Sequence, residues 1–127
     1  MVDVIYNSDL HFEHTLWTSE LTFWEGELKS LESRLNELIS HWTDKEVLAK
    51  LEHYKDVFTL QSDVVRDIKK SIKQHEINIL DHTPNGRESM DIPRVKEHLK
   101  LRSKMETQRE AYGNLKKEFF QFSSVYL

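Results

Sequence analysis

His14, His75 and His98 are the side chains in this sequence whose type and spacing could do chemistry together. Each falls on the apolar seam of a different long predicted helix, and all three reach one level when the helices fold back on one another. Three imidazoles with an oxygen ligand suit a borderline divalent ion, zinc first, with nickel, copper or iron also compatible. His11 stands one turn before His14, a spacing that turns both rings to the same side of a helix. Glu13, Glu76 and Glu97 flank the layer as carboxylate ligands or as orienting partners for imidazole N–H groups. The candidate metal set is therefore His11, Glu13, His14, His75, Glu76, Glu97 and His98.

A plainer reading competes with this one. A chain with seven histidines puts some on seams by chance, and polar seam residues also fix the register of packed helices. Gln61 and Gln108 read as such a register layer near the middle of the chain's second and third helices. His41 and His53 fall at the end remote from His14, where neither acquires a functional role.

The seams that position these residues come from a 3.5-residue repeat. Leu10, His14, Trp17, Leu21, Trp24, Leu28, Leu31, Leu35, Leu38 and Trp42 mark the first. Val47, Leu51, Tyr54, Phe58, Gln61, Val65, Ile68, Ile72, His75, Ile79 and His82 mark the second. The third runs through His98, Leu101, Met105, Gln108, Tyr112, Leu115, Phe119, Phe122 and Tyr126. Such sustained repeats predict three helices packed at shallow angles, coiled-coil fashion.

Local signals set the ends. Thr43-Asp44-Lys45-Glu46 reads as a capping box with Thr43 as the cap, so the second helix starts there. His82-Thr83-Pro84-Asn85-Gly86 breaks it, because proline cannot continue the ladder and Asn-Gly favours left-handed backbone. Asp91 caps the third helix, Pro93 being harmless in its first turn. Asn7, Ser8 and Asp9 compete to cap the first. The predicted helices are 8–41, 44–82 and 91–124, with a loop at 83–90, in a single helical domain spanning 1–127.

Both connections are too short to run the length of a helix, so neighbours must be antiparallel. The expected fold is all-α, an antiparallel up-down-up bundle of three long helices. Charge pattern supports it: Glu13, Glu20 and Glu27 face Arg102, Arg109 and Lys116 if the first and third helices lie side by side and parallel. Gly113, costly inside a helix, falls level with Trp24 and is read as making room for the indole.

Several function classes lose support. Net charge is −4 with interspersed signs, which offers no basic stripe for nucleic acid. There is no cysteine, hence no disulfide, thiolate nucleophile or thiolate metal site. Residues 1–8 lack a basic segment leading into an apolar run, and no stretch nears the ~20 apolar residues of a membrane span, so a cytoplasmic location without membrane contact is expected. No glutamate precedes a histidine by three residues, as di-iron bundles require. No phosphate-binding glycine loop or nucleophile elbow is present either.

A second apolar stripe runs along the first helix away from its seam. Phe12, Leu16 and Phe23, with small Ser19 and Gly26 between and beyond, resemble a partner surface. Leu60, Ile77 and Leu80 also exceed what one seam needs. The expected partner is a second copy of the chain, forming a homodimer and a larger bundle, or another helical protein. The sequence thus favours a non-catalytic helical-bundle protein acting in self-assembly or partner binding, with a divalent-metal-binding bundle as the alternative.

Overall fold

The computed structural model describes residues 7–82 and 92–127. It contains three helices, α1 (Asn7–His41), α2 (Lys45–His82) and α3 (Ile92–Tyr126), and no strand among the described residues. These bounds lie within two residues of those read from the sequence, which is the ordinary play at helix ends. The expected Asp91 cap and the 83–90 loop fall outside the described residues. So do the side chains of Leu80 and His82.

The seams are buried as their spacing requires. One apolar cluster draws Trp17, Leu21, Trp24 and Leu28 from α1, Leu51, Phe58, Val65 and Ile72 from α2, and Leu101, Met105, Tyr112 and Phe119 from α3. Tyr126, the last seam position of α3, is instead exposed in the final turn of that helix. Near the cluster's middle the two seam glutamines meet, Gln108 Nε2 donating to Gln61 Oε1. Each thereby satisfies a polar group that would be costly to bury alone.

Contacts between α1 and α2 descend along one helix as they climb the other, from Glu32 with Ser62, through Glu25 with Lys69, to His14 with Glu76. Between α1 and α3 they climb together. Glu13 meets Arg102, Glu20 meets Arg109 at 2.7 Å and Glu27 meets Lys116 at 2.9 Å, each pair separated by 89 residues. The Glu27 carboxylate also accepts from the buried Tyr112 hydroxyl at 2.6 Å. No described helix is long and apolar enough to cross a membrane.

Two local expectations need correction. The cap of α2 is Asp44, not Thr43: the Asp44 Oδ1 accepts from the Glu46 N–H at 2.9 Å and the Val47 N–H at 3.1 Å. A carboxylate takes two of the orphan donors at once and adds a favourable charge at the positive helix end, which a threonine hydroxyl cannot match. Asp44→Ala should therefore lower stability by about 1 kcal/mol in urea unfolding, whereas Thr43→Ala leaves it nearly unchanged.

Gly113 makes no room for Trp24. It is exposed, and a Cβ built there meets nothing within 4 Å, as at Gly26. The indole packs instead against the Tyr112 ring, centroids 5.6 Å apart and edge to face. Gly113→Ala should then stabilise the fold by about 0.5–1 kcal/mol through helix propensity alone. Unchanged or lowered stability of that variant would mean that the glycine serves another purpose.

Candidate metal centre

Three dipeptides supply the site: Glu13-His14 on α1, His75-Glu76 on α2 and Glu97-His98 on α3. The histidine of each falls on a seam and is buried. Adjacent residues on a helix do not face each other, so each glutamate turns toward a neighbouring helix and holds that helix's histidine instead. The His14 Nδ1–H donates to Glu76 at 3.0 Å, the His75 Nδ1–H to Glu97 at 2.9 Å, and the His98 Nε2–H to Glu13 at 2.8 Å. The result is cyclic: α2 orients the α1 imidazole, α3 orients that of α2, and α1 orients that of α3.

Each carboxylate has a further brace. Arg102 grips Glu13 through Nη2 at 2.5 Å and Nε at 3.2 Å. His11 bonds Glu76 at 2.8 Å, and Arg94 approaches Glu97 at 3.7 Å. His11 is accordingly an outer residue, its side chain 71% exposed, and not one of the converging rings. Glu13, Glu76 and Glu97 likewise occupy the outer ring of the site. They orient histidines and leave the centre to nitrogen.

The rings themselves converge. Centroids are 5.2 Å apart for His14 and His98, 5.3 Å for His14 and His75, and 5.8 Å for His75 and His98. One nitrogen from each lies within 4.8 Å of those of the other two. With the outer nitrogens engaged, His14 Nε2, His75 Nε2 and His98 Nδ1 remain, buried and without a hydrogen-bond partner among the described residues.

Apolar packing closes the layer on both sides. Trp17 stacks on His98 at 5.0 Å and lies 5.6 Å from His14. One turn the other way, Leu10, Ile79 and Val95 form a second small cluster. Electrostatic interactions are strong in such a setting, because little water screens them.

Protonation follows from this burial. It pulls the His14 pKa down to about 4, against the opposing hydrogen bond to Glu76, with the neighbouring His98 and His75 adding to the fall. Burial also lowers His98. For Glu13 burial acts upward, but hydrogen bonds from Arg102 and His98 and their charges outweigh it, so its carboxyl stays ionised. Glu76 is held low in the same way by His11 and His14. An ionised carboxylate only accepts, so the ring nitrogen facing it must carry the proton. The inward nitrogens of His14 and His98, whose rings burial keeps neutral, are then bare lone pairs.

Three buried nitrogens facing one another without a partner among the described residues suit an electrophile. A water molecule can donate to only two of them. A transition-metal cation satisfies all three, and its bonds of 2.0–2.1 Å in a tetrahedron would set the nitrogens about 3.3 Å apart, so the rings must close slightly from the spacing of up to 4.8 Å. The carboxylate behind each imidazole is the arrangement that fixes tautomer and raises basicity in metal-ligating histidines.

The exact pairing of carboxylate with histidine was hidden in the sequence, although the three adjacent Glu/His pairs were its signal. A second feature was also missed. Arg66, Lys69, Lys70 and Lys73, spaced like the successive residues of one helical face, line a groove between α1 and α2 that ends at His11 and His14. The chain matches no family model, no curated protein and no solved structure, so its function rests on this geometry.

Proposed function

We propose that this chain is an antiparallel, up-down-up three-helix bundle that binds a divalent transition metal, zinc in the first instance, through His14, His75 and His98. The observation that carries the reading is the trio of buried imidazole nitrogens without partners among the described residues, each on a ring oriented by a carboxylate from the next helix. Leaving a buried acceptor unsatisfied costs about 1–3 kcal/mol. Three at one point make a layer whose only purpose is packing an expensive choice. All three ligands are imidazole nitrogens, and no cysteine competes for a softer ion.

The antiparallel course is supported by the descending α1–α2 contacts and the constant α1–α3 offset. With three protein ligands and no fourth among the described residues, the centre resembles open sites more than closed structural ones. One equivalent of cobalt(II) or copper(II) added to metal-free protein should quench tryptophan fluorescence, because Trp17 stacks on a ligating ring. Quenching that persists in His98→Leu would place the ion elsewhere.

A second reading concerns assembly and is compatible with the first. Phe12 and Phe23 are each 64% exposed and Leu16 53%, aligned on the outer face of α1 with Ser19 and Gly26. This stripe supports a homodimer or a helical partner, and Ile77 and Leu60 add apolar surface on α2. Sedimentation equilibrium should then show a dimer that Phe12→Glu or Phe23→Glu converts to monomer. A wild-type monomer at high micromolar concentration ends the proposal.

A further inference from the structure

The two flanks of α1 are built differently. Toward α3, every cation of the ladder has its carboxylate: Arg102 on Glu13, Arg109 on Glu20, Lys116 on Glu27. Toward α2, four cations at Arg66, Lys69, Lys70 and Lys73 share a groove with Thr15, Thr18 and Ser19 of α1, and among the described residues Lys69 alone of the four pairs with an α1 carboxylate, Glu25. Between them runs a groove of about 600 Å³, a size typical of small-molecule sites.

The charges in the groove do not cancel. Its two acids are already engaged, Glu25 by Lys69 at 2.8 Å and Glu76 by His11 and His14. Arg66 has only an exposed pairing with Asp63 at 3.2 Å, which solvent makes weak. Lys70 and Lys73 have no carboxylate partner among the described residues. A concave surface lined by excess charge of one sign focuses its field and concentrates the opposite ion. That excess is positive in a chain whose net charge is −4.

The lining also defines the ligand. From Arg66 to Lys73 the cationic wall extends about 10 Å at the helical rise, enough to meet two anionic groups on one small molecule. Lysines act on phosphate as mobile point charges and arginine as a fork, while Thr18 and Ser19 add hydroxyl donors from the facing wall. Ile72 gives an apolar patch in the floor for the body of an organic molecule. We propose that the α1–α2 groove is a binding site for a small organic molecule bearing two or more phosphate or carboxylate groups, held by Arg66, Lys70 and Lys73. The groove ends beside His14, but none of the three cations that hold the anion is a metal ligand, so binding there needs no metal.

Calorimetric titration of metal-free protein with inorganic pyrophosphate tests it, since chelation of an ion cannot then imitate binding. Saturable one-to-one binding is expected, weakened at least about tenfold, ~1.4 kcal/mol, in the Lys70→Gln, Lys73→Gln double variant. Circular dichroism should show that variant to be as helical as wild type. A charge-matched control, Lys55→Gln with Lys117→Gln, should retain wild-type affinity. No saturable heat at millimolar pyrophosphate, or equal loss in both double variants, overturns the proposal. Binding to phosphatidylserine vesicles without any binding of pyrophosphate also overturns it, in favour of a membrane surface as the anion.

Discussion

Zinc should raise the thermal unfolding midpoint of the wild-type protein by about 10 °C when free metal exceeds Kd ~100-fold, a stabilisation of about 2.7 kcal/mol. The ion binds the folded state through three residues drawn from three helices, and the unfolded chain cannot gather them. His75→Ala should abolish most of the shift, because it removes one of the three inward nitrogens. His53→Ala, an exposed histidine near the far end of α2, should leave it intact. Glu97→Gln keeps an acceptor for the His75 Nδ1–H but not the charge behind it, and metal affinity should fall about 10–100-fold. A zinc-dependent shift of equal size in wild type and His75→Ala would reduce the layer to polar packing.

Acid should destabilise the metal-free protein well before its carboxylates titrate. Burial, acting against the hydrogen bond to Glu76, brings the His14 pKa from 6.5 to about 4, and burial lowers His98 as well. The unfolded chain takes up these protons near pH ~6.5, while the folded chain resists them. Between those values the unfolded state binds more protons, so stability falls as the pH is lowered. It is complete above ~6.5 and declines until the folded pKa is passed.

His14 alone accounts for a loss of ~2 kcal/mol at pH 5. Glu13 and Glu76, whose carboxyls hydrogen bonds hold below the usual 4.5 despite burial, add a loss in the same direction at still lower pH. Urea unfolding at pH 7 and pH 5 should show this difference in wild type and a smaller one in His14→Leu. A stability unchanged between the two pH values would mean that the imidazoles are not held neutral. The same neutrality keeps the inward lone pairs available to a metal at neutral pH.

Much of this site was legible because it rides on periodicity. A 3.5-residue repeat held over ten positions leaves little freedom about which face is inward, so His14, His75 and His98 could be placed on seams from spacing alone. Their common level followed from counting residues on either side of two short connections. The Glu20–Arg109 and Glu27–Lys116 pairs were visible for the same reason, since long helices of known offset bring fixed positions together. The outer ring was less legible. A glutamate beside a seam histidine can reach either neighbouring helix, and which one it chooses depends on the handedness of the arrangement, which periodicity does not encode.

His11 illustrates the limit. Its one-turn spacing from His14 turns it to the same side of α1, but the step of three residues carries the ring round to the edge, where it braces Glu76. Gly113 shows another. Level with Trp24 is not in contact with it, because the glycine lies on the solvent side of α3. The basic face of α2 escaped notice since its charges disappear into a balanced composition. Only with α1 and α2 side by side is it visible that Lys70 and Lys73 have no carboxylate partner among the described residues.

X-ray absorption at the zinc edge, on metal-free protein given one equivalent of zinc, tests the metal centre most directly. The account predicts a first shell of three imidazole nitrogens at about 2.0–2.1 Å with one further light atom, and the loss of imidazole scattering in His75→Ala. A shell of oxygen ligands alone, or imidazole scattering unchanged in that variant, would contradict it.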